Sequence, residues 1–258
     1  MSLFITSLSS GSAGNCYYVG NHTDAVLIDV GISCMEVEKR MAIMGLSMQT
    51  IRAIFVSHEH FDHVKGVSTF ANKYRIPVYL SEKTAKRGPR LIRHLSKHFS
   101  PGEEITISDL VVTPFSKFHD AVDPYSFTVG YKGITVGVFT DIGLVCPELI
   151  HYFQKCNAAF LESNYDEQML ESGFYCLKLK DRIRGGQGHL SNRQALELFT
   201  AHRPAAMTHL ILSHLSQENN DPNLVRELFA EKAINTKIII ATQDEPTPLF
   251  AITASNLK

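Results

Sequence analysis

The stretch FVSHEHFDHVKG, residues 55–66, places His58, His60, Asp62 and His63 within six positions. Imidazole titrates near neutral pH and is the commonest protein ligand for metal ions. Four metal-capable side chains crowded together repel one another or titrate poorly unless they share a cation. The spacing His-x-His-x-Asp-His divides into two pairs: His58 with His60 for one ion, and Asp62 with His63 for a second beside it. The plainer alternative is a polar turn with surface histidines. One or two histidines would suit that reading, whereas this cluster suits metal-ligand chemistry.

Two ions need more ligands than one hexapeptide supplies. Three polar residues further along end predicted strands: His119 after LVVTPFSKF, Asp141 closing ITVGVFTD, and His214 closing THLILSH. Any one of them alone could be an ordinary edge or turn residue, so the elements that position them matter. IRAIFVSH reads as a buried strand that delivers the His cluster. Val64, Val67, Phe70 and Ala71 then recur at helical spacing. The cluster therefore falls in a strand-to-helix loop, where α/β sheets hold their ligands.

Upstream, LFITSL, CYYVG and DAVLIDVG read as three strands of a meander around a Ser/Gly loop. CMEVEKRMAIMG reads as a helix that ends at Gly45. IPVYLS is another strand, and residues 82–98 read as a helix interrupted at Gly88-Pro89. A second β-rich series runs through EEITISDLVVTPF, YSFTVGYKG and ITVGVFTD. The remainder alternates: strand NAAFLES, helix SNRQALELFTAH, strand MTHLILSH, helix PNLVRELFAEK, strand TKIIIAT. Two β-rich halves with helices outside predict a four-layer α/β/β/α sandwich with mixed sheets, one domain over residues 1–258.

Bulk composition narrows the partners. With 44% hydrophobic residues and a net charge of −1, the chain has a sizeable core and no global basic field to draw nucleic acid. Such a partner would have to be held by local patches. The five cysteines (16, 34, 146, 156 and 176) are scattered and odd in number, which predicts free thiols in a reducing compartment. No basic leader precedes an apolar run, and no window reaches the ~20 apolar residues of a membrane span. A cytoplasmic protein without a membrane partner is expected; oligomeric state is not legible.

These pieces resemble the metallo-β-lactamase fold superfamily over essentially the whole chain. Its αββα sandwich carries ligands on loops at one edge, in the order met here. The resemblance implies one ion on His58, His60 and His119, a second on Asp62, His63 and His214, and Asp141 bridging both. Asp29 in LIDVG matches an early aspartate that supports the His-rich loop by hydrogen bonding. Secreted dizinc β-lactamases have a cysteine where Asp141 stands, and glyoxalase-II-like thioesterases add a C-terminal helical region. The nuclease branches instead carry an extra histidine between the bridging Asp and the last His ligand. GHLSNRQALELF supplies one: His189 opens a predicted helix, similar to the His-Ser/Thr-x-x-x-Ala stretch of ribonuclease Z. SLSSGSAGNCYYV, SHEHFDH, FHDAVDP, TDIG, LESNYD, GHLSN and LSHLSQENN together resemble the YycJ-like (WalJ) exonuclease branch.

The resemblance implies a metal-dependent hydrolase of phosphodiester bonds, a nuclease acting on DNA and by resemblance a 5′ exonuclease. The alternatives are an RNA-processing nuclease of ribonuclease Z type and a small-molecule ester, lactone or cyclic-phosphate hydrolase. Two divalent ions ~3.5–4 Å apart can acidify water and clamp phosphate oxygens. His/Asp donors suit Zn or Mn first, with Fe or Ni also accommodated. Asp62 would also orient the nucleophile. His189 would give a proton to the leaving oxygen, an effect of ~10²–10⁴-fold; its alternative role is a helix-start residue beside Ser191 as N-cap.

In SSGSAGN, Ser10, Gly11 and Asn15 would offer N–H groups and a hydroxyl for phosphate, a plain hairpin turn being the alternative. KTAKRGPRLIRHLSKH, residues 83–98, holds six Lys/Arg and no acid. On a helix, its Arg90, Arg93 and Lys97 would share a face. KLKDRIRGGQGH brings Lys178, Lys180, Arg182 and Arg184 up to His189. Each basic run is either a solvated face or a contact with the nucleic-acid backbone.

Overall fold

Strand after strand in this chain is apolar at nearly every position because both faces of each sheet are covered. A computed structural model describes residues 1–91 and 94–254. Its first sheet opens with an antiparallel meander of β1 (Ser2–Ser9), β2 (Cys16–Gly20) and β3 (Ala25–Ile28). It continues in parallel through β4 (Ile51–Phe55), β5 (Val78–Leu80) and β6 (Ser96–His98). The second sheet has antiparallel β7 (Ile105–Ile107), β8 (Leu110–Ser116), β9 (Tyr125–Tyr131) and β10 (Ile134–Phe139). Parallel β11 (Ala158–Glu162), β12 (His209–Ser213) and β13 (Lys237–Ile240) complete it. The last strand, β14 (Phe250–Thr253), returns to the first sheet and pairs antiparallel with β1, Ser2 opposite Thr253.

Period-two alternation sorts the apolar residues into layers. Val26 and Ile28 point between the sheets while Ala25 and Leu27 point outward. In β11, Ala158 and Phe160 face in, and Ala159 and Leu161 face out. Aromatic rings join the sheets: Phe55 lies 5.7 Å from Phe127, and Tyr17 5.0 Å from Phe160. Each is buried, and a buried aromatic of this kind stabilises the fold by about 1.5–3 kcal/mol.

Helices close both outer faces. α1 (Cys34–Ile43), α2 (Phe61–Val64), α3 (Val67–Tyr74) and α4 (Glu82–Arg87) follow strands of the first sheet. Val37 and Met41 of α1, with Phe70 and Ala71 of α3, pack on that sheet's outer side. α5 (Pro147–Phe153), α6 (Glu167–Ser172), α7 (Leu177–Arg184), α8 (Asn192–His202) and α9 (Pro222–Ala230) belong to the second half. Phe153, Leu198, Phe199, Val225 and Phe229 supply its outer core. The αββα sandwich expected from the sequence is the architecture found. α1 stops as its sequence predicts: Gly45 is left-handed (φ +67°), and the Gly45 and Leu46 N–H groups bond back to Ala42 and Met41. Among the described residues no helix is long and apolar enough to cross a membrane.

The helix expected over 82–98 needs correction. α4 ends at Arg87, since Pro89 has no N–H and disfavours helical backbone at Gly88. Lys97 lies on β6 opposite Tyr79, so Arg90 and Lys97 share no helical face, and Arg93 falls outside the described residues. β14 and helices α5, α6 and α7 were not foreseen. The C-terminal ends of β1, β3, β4, β8, β10, β11 and β12 open at one edge of the sandwich, and the polar strand-ending residues gather there.

Candidate metal centre

β4 runs out through Val56 and Ser57 and delivers His58, His60, Asp62 and His63 on the turn into α2. His119 comes from the loop after β8, Asp141 from the end of β10, and His214 from the end of β12. Asp29, Asp141 and His214 are left-handed, with φ of 60°, 55° and 58°. Asp and His tolerate this region better than most residues, but each still costs of order 1–3 kcal/mol, which the surrounding contacts must offset. The turn lets each chain leave its sheet while the side chain stays at the strand end. Gly31 permits the closest approach: a Cβ there would stand 1.6 Å from the Asp62 carbonyl oxygen.

Ligand-capable atoms of His58, His60 and His119 lie within 4.8 Å of one another, and those of Asp62, His63 and His214 form a second such group. Asp141 stands between them, its carboxylate 3.2 Å from His63 Nε2, 3.5 Å from His214 Nδ1 and 3.7 Å from His119 Nε2. The acceptors behind each ring set its orientation. His63 Nδ1 donates to Asp29 Oδ2 at 2.7 Å, and His119 Nδ1 to the Gly188 carbonyl at 3.0 Å. His58 Nδ1 meets Ser57 Oγ at 2.8 Å, and that hydroxyl donates to Asp29. His214 Nδ1 donates to Glu162 Oε1 at 2.8 Å. Every one of these rings thus turns Nε2 inward, the arrangement that fixes metal-binding histidines.

The donor set fits divalent metal. Burial pushes the His58 imidazole well below its ordinary value and His119 down to about 4, so both present neutral lone pairs. In the second group burial acts the same way but is outweighed. Asp141, Asp62 and Asp29 hold His63 well above its usual range, and Asp141, Asp62 and Glu162 bring His214 up to about 10. Carboxylates that draw protons onto two buried imidazoles mark a place short of positive charge, which a divalent cation supplies with release of those protons. Asp141 Oδ2 and His214 Nε2 are moreover buried without a hydrogen-bond partner.

His189 sits beside the cluster at the mouth of a cleft, and its Nδ1 donates to Glu162 Oε1 at 2.8 Å. Glu162, fully buried, also accepts the N–H groups of Asp141, Ile142 and Leu190. Burial alone would raise its carboxyl, but the imidazoles of His189 and His214 bring it down to about 2. Glu162 therefore ties His189, His214 and the Asp141 turn to one carboxylate. In the sequence it stands within LESNYD with nothing to mark its role. Lys117 is likewise buried and was missed; its ammonium donates to the Thr140 carbonyl at 2.7 Å, one residue before Asp141.

The residues expected at the substrate divide. Arg182 lines the cleft, held by an ion pair to Asp120. Arg184 pairs with Glu171 and Asp181 instead. Ser10 Oγ accepts the His214 N–H at 2.7 Å, and Asn15 Nδ2 lies 3.3 Å from Asp62 and 3.2 Å from His63. Gly11 donates its N–H to Asn15 Oδ1 at 3.0 Å. These three lie buried under the cluster, while Ser12, Asn164, Tyr175 and Leu179 form the cleft wall. Ser191 caps α8 in a capping box with Gln194, as its sequence suggests.

A fold of this kind with this cluster defines a class. Residues 24–214 match the β-lactamase superfamily domain, and the chain belongs to that superfamily. Its relatives include the exodeoxyribonuclease YycJ of Bacillus anthracis, 34% identical over 230 residues that cover 88% of this chain and 87% of the relative. The exodeoxyribonuclease WalJ of Streptococcus pneumoniae is 29% identical over 259 residues, covering 95% of this chain and 96% of that one. In structure, the metallo-β-lactamase fold protein YhfI from Bacillus subtilis superposes with a TM-score of 0.69 at 16% identity, over 96% of this chain and 99% of its own. Human tRNase Z, short form, gives 0.63 at 16% identity, over 95% and 98%. At such identity the likeness to both structures is one of fold.

Proposed function

We propose that the chain, as one catalytic domain over residues 1–258, is a dinuclear metal-dependent phosphodiesterase that degrades DNA as a 5′ exonuclease. The observation that carries the reading is the Glu162–His189 pair, opening on the cleft beside a cluster already rich in metal-capable donors. The names of the YycJ and WalJ relatives support DNA as substrate. His58, His60 and His119 would hold one ion, Asp62, His63 and His214 the other, and Asp141 both. Bound Zn or Mn, with Fe or Ni as further candidates, would supply Lewis acidity, making water acidic near neutral pH and neutralising phosphate charge.

The chain's own groups do the rest. Arg182 binds non-bridging phosphate oxygens, its guanidinium already oriented by Asp120. Asp62 orients the attacking water toward phosphorus. As the P–O bond to the leaving sugar breaks, His189 Nε2 gives its proton to the departing oxygen, and Glu162, accepting from Nδ1, holds the ring turned toward it. Ser10, Gly11 and Asn15 hold the Asp62, His63 and His214 turns in register for this.

The test is metal-titrated digestion of 5′-labelled and 3′-labelled duplex DNA and of structured RNA, with a chromogenic phosphodiester and a lactone run alongside. Prompt release of labelled mononucleotide from the 5′-labelled DNA is expected. Cleavage of RNA alone, or lactone turnover without nucleic-acid cleavage, overturns the proposal.

A further inference from the structure

A second cavity adjoins the catalytic cleft, and nothing in the mechanism above uses it. It lies between the ends of β12 and β13 and the start of α9, with a volume of about 290 Å³. Ser216 lines both the cavity and the cleft. Ser10, in the cavity wall, is also the residue that accepts the His214 N–H. One turn, His214–Ser216, therefore separates a candidate ligand from this space. Gln243 ties the opposite side to the cleft: its Oε1 accepts the Ala13 N–H at 3.3 Å, next to the cleft residue Ser12, and its Nε2 is left for another partner.

The lining selects the occupant. Leu215, Pro222 and Ala241 form apolar walls, and Ser216, Gln217 and Gln243 add hydroxyl and amide groups. Among the described residues no Lys, Arg or His lines the cavity, and its one charged residue is Asp244. A phosphate would find no counter-ion there. A flat ring with donors and acceptors along its edge would find apolar faces and amides able to play either part.

We propose that this cavity receives the nucleobase of the nucleotide next to the scissile phosphate, so that cleavage requires that nucleotide to be unpaired. The inference rests on the nuclease reading and adds to it a demand on the substrate: a base must leave the stack, which is easiest at a strand end.

The experiment uses 5′-labelled single-stranded decamers in which one abasic residue is walked along the strand, digested by the native protein and by Thr242→Phe. Thr242 is an exposed residue of the cavity lining; equal metal content and melting temperature establish that the variant folds, and Gln217→Phe, also exposed, replaces it if it does not. An abasic residue at the one position beside the cleaved bond should raise KM about tenfold or more, the scale of removing one stacked base. Thr242→Phe should raise KM on the intact decamer and abolish the difference between intact and abasic strands. In parallel, deoxyadenosine, which carries no phosphate, should shift the Gln217 and Gln243 side-chain amide NMR signals of the native protein without added metal. An abasic walk with flat KM, or an abasic penalty that survives in Thr242→Phe, overturns the inference, as does the absence of any shift. Failure of the nuclease reading looks different: no decamer is degraded by either protein while the chromogenic phosphodiester or lactone is turned over, and the inference falls with it.

Discussion

His189 and His214 both stand in a His-Leu-Ser triplet and both donate Nδ1 to Glu162 Oε1, yet their surroundings differ. The His214 side chain is almost fully enclosed, with Nε2 facing Asp62, whereas that of His189 is 20% exposed at the cleft. His189→Ala should therefore keep two ions per chain, measured by elemental analysis, and lose turnover by ~10²–10⁴-fold. A nitrophenolate leaving group, which needs no proton, should restore part of it. His214→Ala should lose metal first, with no such rescue; a missing ion in His189→Ala would reverse the roles. Glu162→Gln should lower metal affinity or turnover by ~10–100-fold, because an amide cannot accept from every donor that the carboxylate serves. Unchanged metal binding and kcat would show Glu162 to be a bystander. His214 was legible because it ends a predicted strand, and His189 because its GHLSN stretch resembles the extra histidine of the nuclease branches. Glu162 was not: it ends a wholly buried strand, and its partners arrive 27 and 52 residues later through separate loops.

At the scale of elements, the strand ends are held by close backbone contacts as much as by side chains. The Asn15 N–H bonds the Asp62 carbonyl, and the Val30 N–H that of His63, on either side of Gly31. Gly31→Ala should cost about 1–3 kcal/mol in urea unfolding through overpacking, and should weaken the ion on Asp62 more than that on His58. Equal loss at both ions would mean general destabilisation. The basic run after β5 behaves differently from its sequence: helical spacing suggested one face, but Gly88-Pro89 ended the helix and the chain resumed as β6. Lys86, Arg87 and Arg90 remain exposed. If they meet DNA, changing all three to Ser should flatten the salt dependence of binding by about 0.9 in log–log slope for each phosphate they no longer neutralise. An unchanged slope would make this face merely solvated.

Across the whole molecule, the sandwich was readable because apolar runs of strand length alternate with helical spacing, and covering both faces of two sheets takes four layers. Strand β14 escaped notice, being four residues long and preceded by a stretch with Pro246 and Pro248. Yet Ile252 is fully buried in the layer between the sheets. Ile252→Ala should destabilise the fold by ~2–5 kcal/mol in chemical denaturation; a loss below about 1 kcal/mol would show that the cavity collapses. The same strand sets the order in which a ribosome can complete the molecule. β1 is made long before its outer partner β14, while Thr6 and Ser7 bond to Thr247 nearby. A nascent chain that has already produced all seven candidate ligands still carries β1 with one edge unpaired, and unpaired edges invite neighbouring chains. Only the arrival of β14 covers that edge.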